Sequence, residues 1–330
     1  MRKPLLIVVA LCIVIAACGA QGDSTETGAD SGAIANVDAQ IVDDSGTAVP
    51  SDGATGDGSN DSASEFDTGD GGVVMPTEAN TGPAAGTTFT DLDFSSLQPN
   101  TTYTARRLIN LKDTDWPANV TLVDSIVTGS AGGVVCFNLQ RVKWMGGIYI
   151  HQRPGLTCNG TIRQTSIINS KGQGFRPACT DALGNENKSG MSCTSGWKVE
   201  DSYIASPTPG DPGQHLEAMQ SLWDTGGFTF RNVNFFMAGP ANGTQTGDIN
   251  WSGSNSTFTD CWFTGEAGYR IYAVGQNLSF VRPRIRTPAP TAYGDWYPDD
   301  QPANYPGVSV HCPMRTDNTP ITTIAGSTCP

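Results

Sequence analysis

Positive charge is scarce in this chain. Its 330 residues include 19 Lys and Arg and only three His, against 32 Asp and Glu. That balance excludes the basic stripe a nucleic-acid binder needs. The sequence has no Cys-x-x-Cys and no cluster of His, so zinc is not indicated. Helical signals are weak as well. Gly, Asn, Ser and Thr separate short runs rich in β-branched and aromatic residues, a pattern of strands and turns.

What is present divides into three segments. Residues 1–18, MRKPLLIVVALCIVIAAC, are a charged start followed by an apolar run that is short for a membrane span and ends in small residues. Ile15-Ala16-Ala17-Cys18 resembles a bacterial lipobox. The resemblance implies a signal peptide, lipidation of Cys18, and export to a cell membrane or outer membrane, with the chain anchored there rather than spanning it. An ordinary signal peptide or an anchor helix is the other reading. Gly19–Pro83 holds 13 of the 32 acidic residues, Phe66 as its one aromatic, and no Lys or Arg. This composition predicts a disordered, self-repelling tether. The acidity belongs to that tether, and the domain from Ala84 to Pro330 is nearly neutral.

Within the domain one pattern recurs: apolar, any, polar, any, any, apolar. It appears as Leu122–Val127, Leu139–Trp144, Ile162–Ile167, Val199–Ile204, Phe230–Phe235, Phe258–Phe263 and Phe280–Ile285. The spacing between copies varies, as a solenoid permits because insertions leave each coil as loops. A β-sandwich also suits short strands with turn signals, but recurrence of a single pattern favours stacking. Over Asn119–Arg286, and most specifically in HLEAMQ followed by GFTFRNVNF, the chain resembles right-handed parallel β-helix proteins of the pectate-lyase-like class. The resemblance implies an all-β coil, with Thr88–Pro117 as N-terminal cap and Thr287–Pro330 as the far end. Such folds serve lyases, hydrolases, epimerases and adhesins alike.

The cysteines suit an exported protein. Once Cys12 leaves with the signal and Cys18 takes lipid, three pairs are expected: Cys136–Cys158, Cys179–Cys193 and Cys312–Cys329. Cys261 lies inside an apolar strand and should be a buried free thiol.

Chemistry is expected on an outer strip. In Gln214–Trp223, alternation assigns Leu216, Ala218, Gln220 and Leu222 to the interior, and His215, Glu217, Met219, Ser221 and Trp223 to the outside. Trp223 and Trp251 each precede the next repeat by seven residues. Tyr272 precedes its repeat by eight, read as one extra turn residue, so the three aromatics would form one row. His151 and Arg270 join it. Trp223, Trp251 and His151 would hold sugar rings. Arg270 would neutralise a uronate, with His215 or Tyr272 as base and Glu217 orienting His215. Arg282, Arg284 and Arg286 would extend the surface for an acidic polymer. The plain alternatives are a solvated His–Glu pair, surface aromatics that only stabilise the coil, and a solvated Arg run. Neither the Asp cluster of a calcium-dependent pectate lyase nor the paired carboxylates of a β-helical glycosidase are found, and no cofactor is expected. The expectation is therefore a monomeric surface lipoprotein that binds, and as a lyase would cleave, an acidic polysaccharide or cell-surface glycan, with a structural or adhesive protein as the alternative.

Overall fold

In the computed structural model the chain divides into two units, Met1–Asn60 and Asp61–Pro330. The described residues all belong to the second. They run from 73 to 329, leaving out 113, 134–135, 153–158, 171, 180–192, 195, 209–216, 222–224, 239–246, 287–293, 298–306, 325 and 328. Cys18, Cys158, His215 and Trp223 thus lie outside them.

The described chain is an all-β coil of parallel strands. Every step of the repeated pattern is a register pair on adjacent coils. Leu122 faces Leu139, Leu139 faces Ile162, Ile162 faces Val199, Val199 faces Phe230, Phe230 faces Phe258, and Phe258 faces Phe280. The coil extends past both expected ends. Tyr103 pairs with Leu122 and Leu108 with Val127, so the expected N-terminal cap contains a coil of its own. Val310 pairs with Phe280 at the other end.

Each coil has three sides. Sheet I holds Ile148–Gln152, Phe175–Cys179, Met219–Gln220, Gly247–Trp251, Tyr269–Ala273 and Gly294–Tyr297. The 17-stranded sheet bends along a corner into sheet II, which carries the first residue of each pattern, and sheet III, which carries the sixth. The corner is the polar third residue. Asp124, Arg141, Gln164, Asp201, Asn232, Asp260 and Arg282 all have φ near +50°. Asp and Asn tolerate that left-handed conformation best. Arg141 and Arg282 are instead held by forked pairs to the Asp of the preceding coil, with Arg141 Nε and Nη2 at 2.6 and 2.7 Å from Asp124, and Arg282 Nε and Nη2 at 2.7 and 2.6 Å from Asp260.

The fourth position is buried, and on several coils a small donor occupies it. Ser125, Thr165 and Ser202 each donate to the carbonyl two residues back, at 2.7, 2.9 and 2.6 Å. Cys261 fills the same slot, with its thiol 3.6 Å from the Thr259 carbonyl. It is free and buried as expected. The first and sixth positions build the core, where Phe230, Phe258 and Phe280 stack at centroid distances of 4.7 and 4.5 Å. Phe94 and Trp116 pack on the N-terminal end, and Trp116 rests against Phe137 and Trp144.

Cys179–Cys193 and Cys312–Cys329 are disulfides, the mark of an oxidising, exported environment. Cys136 is also disulfide-bonded, while its expected partner Cys158 is outside the described residues. Among the described residues no helix is long and apolar enough to cross a membrane.

One expectation fails at the domain boundary. Val73–Pro83, assigned by composition to the tether, lie as a strap along sheet III. The reason is hydrogen bonding, within the strap and to distant coils, that composition does not register. Asn80 accepts from the Thr77 amide (2.6 Å) and donates to the Met75 carbonyl (2.9 Å), which closes a turn. Buried Asn234 then donates to the Pro76 carbonyl at 2.8 Å.

Candidate functional site

The expected outer strip does not assemble. Trp251 is fully buried, edge-on to Phe228, Phe230 and Phe258. Its register partner is Ala273, seven residues before Phe280, and Tyr272 pairs instead with Asn250. No extra turn residue exists, and a one-residue slip in a strand exchanges its two faces. The same slip affects Met219 and Gln220. Met219 points into the core between Phe175 and Ile249, whereas Gln220 is half-buried and accepts a 3.3 Å bond from Gln173. Alternation misjudged them because the apolar Leu216, Ala218 and Leu222 outweighed the polar Gln220 in assigning the inner face.

Glu217 and Arg270 are both fully buried, so neither meets solvent as a strip residue would. His151 is half-buried opposite Ala178, two residues along the strand from Tyr149, and Tyr149 is the residue level with Tyr272. Arg282 and Arg284 are both committed to Asp260. Arg284 is fully buried, 3.3 Å from Asp260 and 4.8 Å above the Trp262 ring. Arg282 and Arg286 both reach solvent, but Arg282 is forked onto Asp260 and Arg286 pairs with Glu266 at 3.0 Å. The Arg run is therefore not a single binding face.

Sheet I carries its buried charge as structure. Asp248 accepts from the Gly265 amide at 3.0 Å, and a Cβ on Gly265 would run into that carboxylate and the Met237 backbone. Burial pushes the Asp248 carboxyl up to about 7, against the opposing pull of the Arg270 charge. Arg270 is level with Asp248 on the next coil and with Asp295 on the one after. Asp295 in turn holds Arg315 at 2.6 Å. Acid, base and acid thus alternate along one column. The half-buried outer residues beside it include Tyr269, Tyr272 and Tyr297, the last two stacked at 4.1 Å. Stacked rings offer edges and hydroxyls to solvent, and most of their faces are covered.

The concave site lies on sheet III. Tyr203, Asn234 and Trp262 follow one another in register on its outer face. With Phe236, Thr264 and Arg286 they floor a cleft of about 720 Å³. The strap supplies a wall through Met75, Thr77 and Glu78, and the turn Thr316–Asn318 closes the end. The floor is fixed by its own bonds. Asn234 Oδ1 accepts from Thr264 at 2.7 Å, and Trp262 Nε1 donates to Asn232 at 3.1 Å. Burial, reinforced by the nearby Glu78 carboxylate, pushes the Tyr203 phenol up to about 12, so it stays protonated and can both donate and accept. Bonds to Thr319 hold the Asp317 carboxyl below its ordinary range, and it is ionised.

Aromatic surface beside planar hydrogen-bonding groups can hold a ring with one apolar side and several hydroxyls. Nothing here forms a nucleophile–base pair. Among the described residues no three His, Cys, Asp or Glu gather as metal ligands. No protein-family model, curated protein or solved structure matches the chain. The sequence did hold a signal for this site. Tyr203 and Trp262 occupy the outward fifth position of their repeats, and Phe236 lies two residues beyond the fifth position of its own.

Proposed function

We propose that this chain is an exported glycan-binding protein, lipid-anchored through Cys18, whose right-handed, pectate-lyase-like β-helix holds a saccharide in the sheet III cleft without cleaving it. The observation that carries the reading is the lining of the cleft, Tyr203, Phe236 and Trp262 beside the planar polar groups of Glu78, Asn234, Arg286 and Asp317. Pockets that take small polar-faced ligands combine apolar rings with a few placed hydrogen-bonding groups.

The charges favour a neutral or amine-bearing sugar over a uronate. Arg286 is the one cation in the lining and is engaged by Glu266, while Glu78 and Asp317 are carboxylates. Cleavage is not part of the reading, because Arg270, the residue wanted for neutralising a uronate, is sealed beside Asp248. The test is calorimetry of the full chain against neutral, amine-bearing and uronate polysaccharides, with ultraviolet absorbance followed for unsaturated ends. Binding of a neutral or amino polymer, about tenfold weaker in Phe236→Ala and without new absorbance, is expected. Failure of every polymer to bind would leave the structural or adhesive reading in its place.

A further inference from the structure

The strap Val73–Pro83 is both the entry of the acidic segment into the domain and a wall of the cleft. Its attachment is mainly polar. Asn234 holds the Pro76 carbonyl, Lys143 Nζ meets Glu78 at 2.7 Å, Thr81 and Ser166 share a hydroxyl bond of 2.6 Å, and the Gly82 amide donates to Gln164 at 2.8 Å. Pro76 is its one buried residue and Val74 is 57% exposed. A segment held by few apolar contacts and by half-exposed polar ones opens at a free energy well below that of global unfolding.

We infer that docking of the strap and occupancy of the cleft are thermodynamically linked. This rests on the glycan reading of the cleft and adds its regulation. A ligand on the floor of Tyr203, Phe236 and Trp262 also touches Met75, Thr77 and Glu78, contacts that exist only while the strap is down. The ligand therefore stabilises the docked strap, and by reciprocity whatever lifts the strap weakens the ligand by the same factor. A pull delivered through the residues that precede Val73 acts on the strap first, so load on the anchor and grip on the glycan oppose each other.

The test uses the full chain and two substitutions that unfasten the strap without lining the cleft, Lys143→Gln and Ser166→Ala. The double variant is expected to bind the polymer identified above three- to tenfold more weakly. In the parent, that polymer is expected to slow amide exchange across 73–81 and to leave exchange in the Phe230–Phe258–Phe280 stack unchanged. Unaltered affinity in the double variant, with unaltered exchange in the strap, overturns the linkage and leaves the glycan reading intact. Absence of any binding by the parent overturns both.

Discussion

The outer faces of sheets I and III are built on the same coils, yet they use their side chains in opposite ways. On sheet I two charged residues are sealed in: Asp248 and Arg270 have no exposed surface, and Asp248 holds the corner at Gly265. On sheet III charged and aromatic groups reach solvent together, with Glu78 and Arg286 at the cleft rim and Phe236 on its floor. A titratable residue on a coil therefore does not by itself mark chemistry. Where the next corner folds over it, the carboxyl serves as a hydrogen-bonding clamp; where a strap stands off the sheet, the same kind of residue is available to a ligand.

The sharpest way to break this comparison is to truncate across a single strand boundary. Trp251→Ala should destabilise the fold by about 3–5 kcal/mol, the usual cost of emptying a buried indole site. Tyr272→Ala, on the opposite face one coil on, should cost under about 1 kcal/mol. Urea unfolding of both variants checks this, and equal losses would mean the faces have been misassigned.

The next effect belongs to Asp248. Its carboxyl titrates near 7 in the fold and near 3.8 when unfolded, so the folded state binds the extra proton between those values. Stability relative to Asp248→Asn should accordingly fall as pH rises from about 4 to 7, by up to about 4 kcal/mol. Parallel unfolding profiles of parent and variant across that range would refute the buried-clamp view of sheet I.

The smallest effect is expected at Cys261. Burial pushes its thiol up to about 12, and its slot is filled by Ser or Thr on three other coils. Cys261→Ser should stay within about 1 kcal/mol of the parent. A thiol reagent should label the parent only as it unfolds.

The frame was legible because the pattern of each repeat states its own geometry. Apolar first and sixth positions point inward, and the polar third position is the left-handed corner. Register followed from those positions alone, whereas the Cys179–Cys193 closure followed from the polar insertion the two residues flank and Cys312–Cys329 from their place in the tail. Sheet I was not legible in the same way. Its strands hold only short runs before variable insertions, and the contrast between Met219 and Gln220 was outweighed by Leu216, Ala218 and Leu222 on the other alternation. Counting back from the repeats would have placed Trp251 opposite Ala273, and one assumed turn residue reversed the result. The cleft was hidden for a different reason. Its wall is the strap, whose stretch from Thr77 to Gly82 reads as solvent-loving, and which is docked by side-chain bonds made 80 to 160 residues away, from Thr81 to Ser166 and from Asn234 to Pro76.

Among the described residues, the last strand of sheet III, Met314–Arg315, has no parallel strand beyond it. The chain reverses at Asp317 and Asn318 instead, and its return segment pairs antiparallel. The Arg315 amide donates to Thr319 at 2.7 Å and the Ile321 amide to Pro313 at 2.9 Å. Ile321 and Ile324 are buried there, and Cys329 ties the segment back to Cys312. An open strand edge is a template on which another chain can add itself. In this molecule the covalently fastened return segment already occupies that edge of sheet III, so another chain cannot add a strand there.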